Sequence, residues 1–86
     1  MPEALHHISS AVVLARPDRV EPVIKAITDF AETEVHAHEG GRIVLVMEGR
    51  STRDLGDRLA SIALIPGVIT ANMVFEHVEQ LEENQL

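Results

Sequence analysis

The chain has 86 residues, 45% hydrophobic and 24% charged, which suits one globular domain and is too apolar for a disordered chain. It contains no cysteine, so disulfide frameworks and thiolate metal sites are excluded. A formal charge of −7, with Phe30 and Phe75 as the only aromatics, leaves neither the cationic surface nor the stacking platforms that nucleic-acid binding uses; an acidic protein attracts basic partners instead.

In chain order, "ISSAVVLA" (8–15) is short and rich in small and β-branched residues and ends at "RPD", the pattern of a strand and its stop. Val20, Val23, Ile24 and Ile27 then recur at helical spacing, with Asp18 and Glu21 in the D-x-x-E form of a helix start and Pro22 tolerable in the first turn. "TEVHAHE" alternates with period two, and Gly40-Gly41 supplies a two-residue hairpin into the apolar run Ile43 to Met47. Ser51 or Thr52 caps a second helix with Leu55, Leu59, Ile62 and Ala63 as its apolar stripe, while Arg53, Asp54, Asp57 and Arg58 read as a solvated, ion-paired face. Pro66-Gly67 leads into a last strand, "VITANMVFEH". The domain is taken as 1–78, with 79–86 an acidic, flexible tail.

The order β-α-β-β-α-β, with right-handed crossovers, predicts a ferredoxin-like α+β fold: a four-stranded antiparallel sheet with both helices on one face. The other face is bare. Which side chains stand on it depends on register. A hairpin at Gly40-Gly41 pairs Glu39 with Arg42, Ala37 with Val44 and Val35 with Val46. Assigning the apolar side of the alternating strand to the helices puts Val35, Ala37, Val44 and Val46 inside, and His36, His38, Ile43, Leu45 and Met47 on the open face. In the last strand Ile69, Ala71, Met73 and Phe75 are expected inside and Thr70, Asn72, Val74 and Glu76 outside; in the first, Ile8, Ser10, Val12 and Leu14 are placed outside. The expected open face thus has Val12, Leu14, Ile43, Leu45 and Met47 at its centre and Ser10, His36, His38, Asn72, Val74 and Glu76 around it. An apolar patch with a polar rim marks an interaction site. The plainer alternatives are two copies stacked sheet to sheet, or a one-residue slip that inverts every assignment.

Glu34, His36 and His38 share one strand face under this register, and H-x-H can chelate a metal, but two imidazoles and a carboxylate without a further fixed ligand fit solvated edge histidines better. His6-His7 falls at an expected chain end. Ser9 and Ser10 lack a nucleophile elbow and a third group, and the glycines form no phosphate loop. No catalytic, metal or cofactor site is therefore expected.

The segments "SSAVVLARPDRVEPVIKAI", "EVHAHEGGRIVLVMEG" and "IALIPGVITANMVFEHVE" resemble the NapD family, over about Ile8 to Glu79, including Ser10 before Val12-Val13, Glu48 at the end of the third strand and the Pro66-Gly67-Val68 turn. The resemblance implies a cytoplasmic, non-catalytic assembly chaperone for the periplasmic nitrate reductase catalytic subunit. It would bind the subunit's twin-arginine signal peptide on the sheet surface and delay export until molybdenum cofactor is inserted. An amphipathic signal helix would lay its apolar side chains on the aliphatic centre, with Glu76 or Glu48 meeting the arginines. The protein is then expected to be a monomer or weak dimer. No run approaches the roughly 18 apolar residues of a membrane span, and "MPEALHHISS" lacks the regions of a signal peptide. The rival readings are an amino-acid-sensing domain of the same topology and a metal-carrying module using His36 and His38.

Overall fold

The computed structural model describes residues 4–81. Strand β1 (Ala4–Ala15) leads through a 3-10 turn (Pro17–Arg19) into helix α1 (Val20–Thr28); β2 (Thr33–Glu39) and β3 (Arg42–Gly49) form a hairpin; helix α2 (Thr52–Ala63) and strand β4 (Val68–Leu81) follow. The sheet is antiparallel in the order β2-β3-β1-β4, the arrangement expected from the element order. Both crossovers pass over one face, and the core forms there from Val23 and Ile27 of α1, Leu55, Leu59 and Ile62 of α2, and Ala11, Val13, Ala15, Ile43, Leu45 and Met47 of the sheet.

Local chemistry accounts for the joints. Gly40 and Gly41 have φ of 57° and 88°, the left-handed geometry that a tight hairpin turn demands. A Cβ on Gly41 would lie 2.6 Å from the Ala15 carbonyl oxygen, so the turn packs where only glycine fits. Gly67 (φ 101°) supplies a left-handed residue to the connection between α2 and β4, and its carbonyl accepts from the Arg16 amide at 2.9 Å. Ser51 is the cap of α2, its hydroxyl accepting from the Asp54 amide at 3.0 Å. Helix α1 starts differently from the D-x-x-E reading: Asp18 lies in the 3-10 turn and no side chain caps the helix. Pro17 opens that turn, where a missing amide proton breaks no helical bond, and Pro22 sits in the first turn of α1 as expected.

Two strand boundaries also move. β1 begins at Ala4, so His6 and His7 are strand residues, and β4 continues past His77 to Leu81, pairing with Ala4 to His7. The two extensions supply each other's backbone partners, which a polar composition does not announce. The rest of the expected tail, 82–86, lies outside the described residues.

The face assignment of β3 is reversed. Ile43, Leu45 and Met47 are fully buried beneath the helices, and Val44 and Val46 stand on the open side. The cause is a bulge in β2: Glu39 faces Arg42 and Ala37 faces Val44, as the turn requires, but the register then shifts so that Val35 faces Leu45 rather than Val46. His36 is the extra residue. A bulge carries the strand across one residue without a partner, so side chains before and after it no longer alternate in step. Val35 accordingly joins the covered set and Ala37 the open one.

A second bulge re-phases β4. Val74 has no partner in β1, because Ser10 faces Phe75 while Ala11 faces Met73. Phe75 is therefore open-faced instead of buried, and Glu76 lies on the helix side opposite Ser9, instead of outward. Ala71 and Met73 pack against the core and Asn72 is exposed, as expected. Ile69 is skipped by a third irregularity and is exposed rather than buried. Ala63 is likewise exposed, outside the stripe of α2.

Candidate open-face docking site

The register orders the open face into rungs. Glu48, Ile8 and His77 form the first; Glu34, Val46, Ser10 and Phe75 the second; Ala37, Val44, Val12 and Asn72 the third; Glu39, Arg42, Leu14 and Thr70 the fourth. The middle of this surface is aliphatic, along Ile8, Val46, Val44, Val12 and Leu14. Phe75, 59% exposed, adds an aromatic ring at the β4 side. Ser10 puts a small side chain between Val46 and Phe75, leaving the second rung lower at its centre than at its sides.

Of the residues proposed from sequence, Ser10, Val12, Leu14 and Asn72 share this face. Ile43, Leu45 and Met47 do not, being fully buried on the other side. Val74 is the bulged residue, and Glu76 belongs to the covered side. The bulge at His36 also splits the histidine set: Glu34 faces Val46 on the open side, whereas His38 faces Ile43 on the helix side. Among the described residues no group of three or more His, Cys, Asp or Glu is placed to hold a metal ion. Val44, Val46, Ile8 and Phe75 are the additions. Ile8 stands outward as expected from the sequence, whereas Val44, Val46 and Phe75 were apolar by type but expected on the covered side.

Charge is uneven across the face. Glu48 and Glu34 stand at the first two rungs, and a recess of about 410 Å³ opens beside them, lined by Phe30, Glu32, Thr33, Glu34, Val46 and Glu48 among others. Glu48 is contacted by His6, Nε2 to Oε1 at 3.2 Å. At the fourth rung, Glu39 is opposed directly by Arg42, an arrangement that offsets its charge.

Arg58 fixes the recess from behind. Its side chain, only 12% exposed, donates to the carbonyls of Glu48 (2.8 Å) and Glu32 (3.1 Å), and pairs with Asp54 at 3.2 Å. It is thus a clamp between α2 and the β2 and β3 ends, not the solvated charge that its helical position suggests. Glu32 itself adopts φ 52°, an uncommon conformation for a residue with a Cβ. The Glu48 amide donates to its carbonyl at 3.0 Å.

Glu76 has a different task. Its carboxylate accepts from the Thr52 hydroxyl at 2.7 Å and pairs with His7 Nδ1 at 2.9 Å, joining the start of α2 to β1 and β4. The Thr52 hydrogen bond, then the one from His7, hold its pKa below the ordinary carboxylate value. Ser9, beside it in register, is fully buried with an unpartnered hydroxyl, so it presents no nucleophile to solvent.

The architecture is thus a ferredoxin-like sheet whose helices leave one apolar-centred, acid-edged face uncovered. Comparison with known proteins identifies the family. The NapD protein family model matches residues 6–80. Chaperone NapD of Paracoccus pantotrophus is 42% identical over 79 residues, covering 92% of this chain and 70% of that protein. The solution structure of the E. coli Tat proofreading chaperone protein NapD superposes with a TM-score of 0.77 at 24% identity, over 91% of this chain and 81% of that one. The chain belongs to the NapD family, and its role is that of an assembly chaperone rather than an enzyme. No helix among the described residues is long and apolar enough to cross a membrane.

Proposed function

We propose that this protein is a cytoplasmic chaperone for the periplasmic nitrate reductase catalytic subunit. It binds the subunit's twin-arginine signal peptide on the open sheet face and delays export until molybdenum cofactor is inserted. The observation that carries this reading is the bare surface itself: Val12, Leu14, Val44 and Val46, with Phe75 beside them, form an aliphatic platform that the protein's own helices leave uncovered. The surface proposed from sequence is thereby revised. Ser10, Val12, Leu14 and Asn72 stay; Ile8, Val44, Val46 and Phe75 take the places of Ile43, Leu45 and Met47; Glu48 and Glu34, not Glu76, meet the arginines in charge-assisted pairs. The names of the relatives, a chaperone and a Tat proofreading chaperone, support the same reading.

The test is titration with a synthetic twin-arginine signal peptide and with Lys-Lys and Gln-Gln versions of it. Tight binding of the first, weakened in both controls, is expected. Equal affinity for all three, or a melting-temperature rise with free amino acids and none with the peptide, would overturn it.

A further inference from the structure

The open face has a direction, and a docked helix must match it. From Ile8 to Leu14 the apolar centre spans six strand steps, about 20 Å at the rise of a strand. At the α-helical rise this accommodates about 13 residues, within the apolar stretch of roughly 7 to 15 residues found in signal peptides. One end of that track is acidic through Glu48 and Glu34; at the other, Arg42 stands opposite Glu39. A helix carries partial positive charge at its N-terminus and partial negative charge at its C-terminus. Arginines preceding an apolar helix strengthen the first of these.

Resting on the peptide-docking reading above, we propose that the signal peptide docks in a single orientation, with its arginine-bearing N-terminal end against Glu48 and Glu34. Its apolar helix lies over Val46, Val44, Val12 and Leu14, running in the same direction as β1, and its C-terminal end reaches Arg42. The reverse orientation would move the arginines to the end where Arg42 and Glu39 offset each other and leave Glu48 and Glu34 facing the negative end of the helix. The preference therefore comes chiefly from the acidic end, since Arg42 and Glu39 offset each other at the far one.

The experiment places a nitroxide label on the synthetic twin-arginine peptide, first just before the arginines and then at the end of its apolar stretch, and reads amide broadening in the full chain. The N-terminal label should broaden Ile8, Val46 and Glu48 and spare Leu14 and Arg42; the C-terminal label should do the opposite. The opposite pattern, or equal broadening of both ends by either label, overturns the orientation while leaving sheet docking intact. Broadening confined to residues off the open face, or none at all, sinks the docking reading with it. As a second arm, Glu48→Gln and Glu34→Gln should each lower affinity for the Arg-Arg peptide by about 2- to 5-fold, the scale of a solvent-exposed ion pair, and leave the Gln-Gln peptide unaffected. An equal loss for both peptides would also count against it.

Discussion

Along β3, Ile43, Leu45 and Met47 are fully buried, whereas Val44 and Val46, alternating with them, are only partly so. The two sets are nearly the same hydrocarbon. They differ in what faces them: α1 and α2 on one side, and nothing among the described residues on the other. Apolar side chains on the covered side hold the fold together, and those on the bare side are free to serve a partner, so substitutions that look alike in sequence should separate cleanly into stability and binding effects.

The largest separation is expected between Leu45→Ala and Val44→Ala. The first deletes fully buried atoms and should lower stability by about 2–5 kcal/mol; the second removes a partly solvated group and should lower it by less than about 1 kcal/mol. Chemical denaturation of the two variants checks this, and equal losses would erase the distinction between the faces. Next, Val12→Glu should leave the circular dichroism and melting temperature nearly unchanged while weakening binding of the twin-arginine peptide by about tenfold or more, because the helix would desolvate a charge in place of a methyl pair. Calorimetric titration reads it, and undiminished affinity would move the docking surface elsewhere.

Arg58→Met probes how the covered side holds the rim of the open one. Losing its bonds to the Glu32 and Glu48 carbonyls should destabilise the protein by about 1–3 kcal/mol, measured by urea unfolding, with faster amide exchange at Glu48 as the local sign. The smallest effect concerns Glu76. Its pKa is lowered in the folded protein, so its contribution is fully present above the ordinary value of 4.5 and is lost as pH falls below that value through the lowered one. Melting temperatures measured from pH 6 to pH 3 should therefore fall less steeply for Glu76→Gln than for the parent. Parallel curves would mean that the bonds from Thr52 and His7 do not bear on stability.

The element order was readable because each element carries its own period or joint: Val20, Val23, Ile24 and Ile27 on α1, the paired glycines at 40 and 41, Ser51 before α2. Half the open face was readable too, since β1 runs beside β3 without a register shift and Ser10, Val12 and Leu14 keep their side. The other half failed on two single residues. His36 and Val74 are unremarkable by type, and a bulge is a relation between two strands, so alternation within one strand cannot disclose it. On the open face the misplaced residues follow from these two, Ile43, Leu45 and Met47 from the first and Phe75 and Glu76 from the second, while Ile69 follows from the further irregularity near the start of β4. Arg58 was misread because its helical position is polar while its reach ends on backbone carbonyls of other elements.

Those irregularities have a bearing on solubility as well. They fall on β2 and β4, the outermost strands, while the central pair is regular. A smooth border would invite neighbouring molecules to add strand to strand and grow ribbons, and interruptions in that border deter such polymerisation. With an apolar plane left open between them, both margins of this sheet are thus roughened against its own kind.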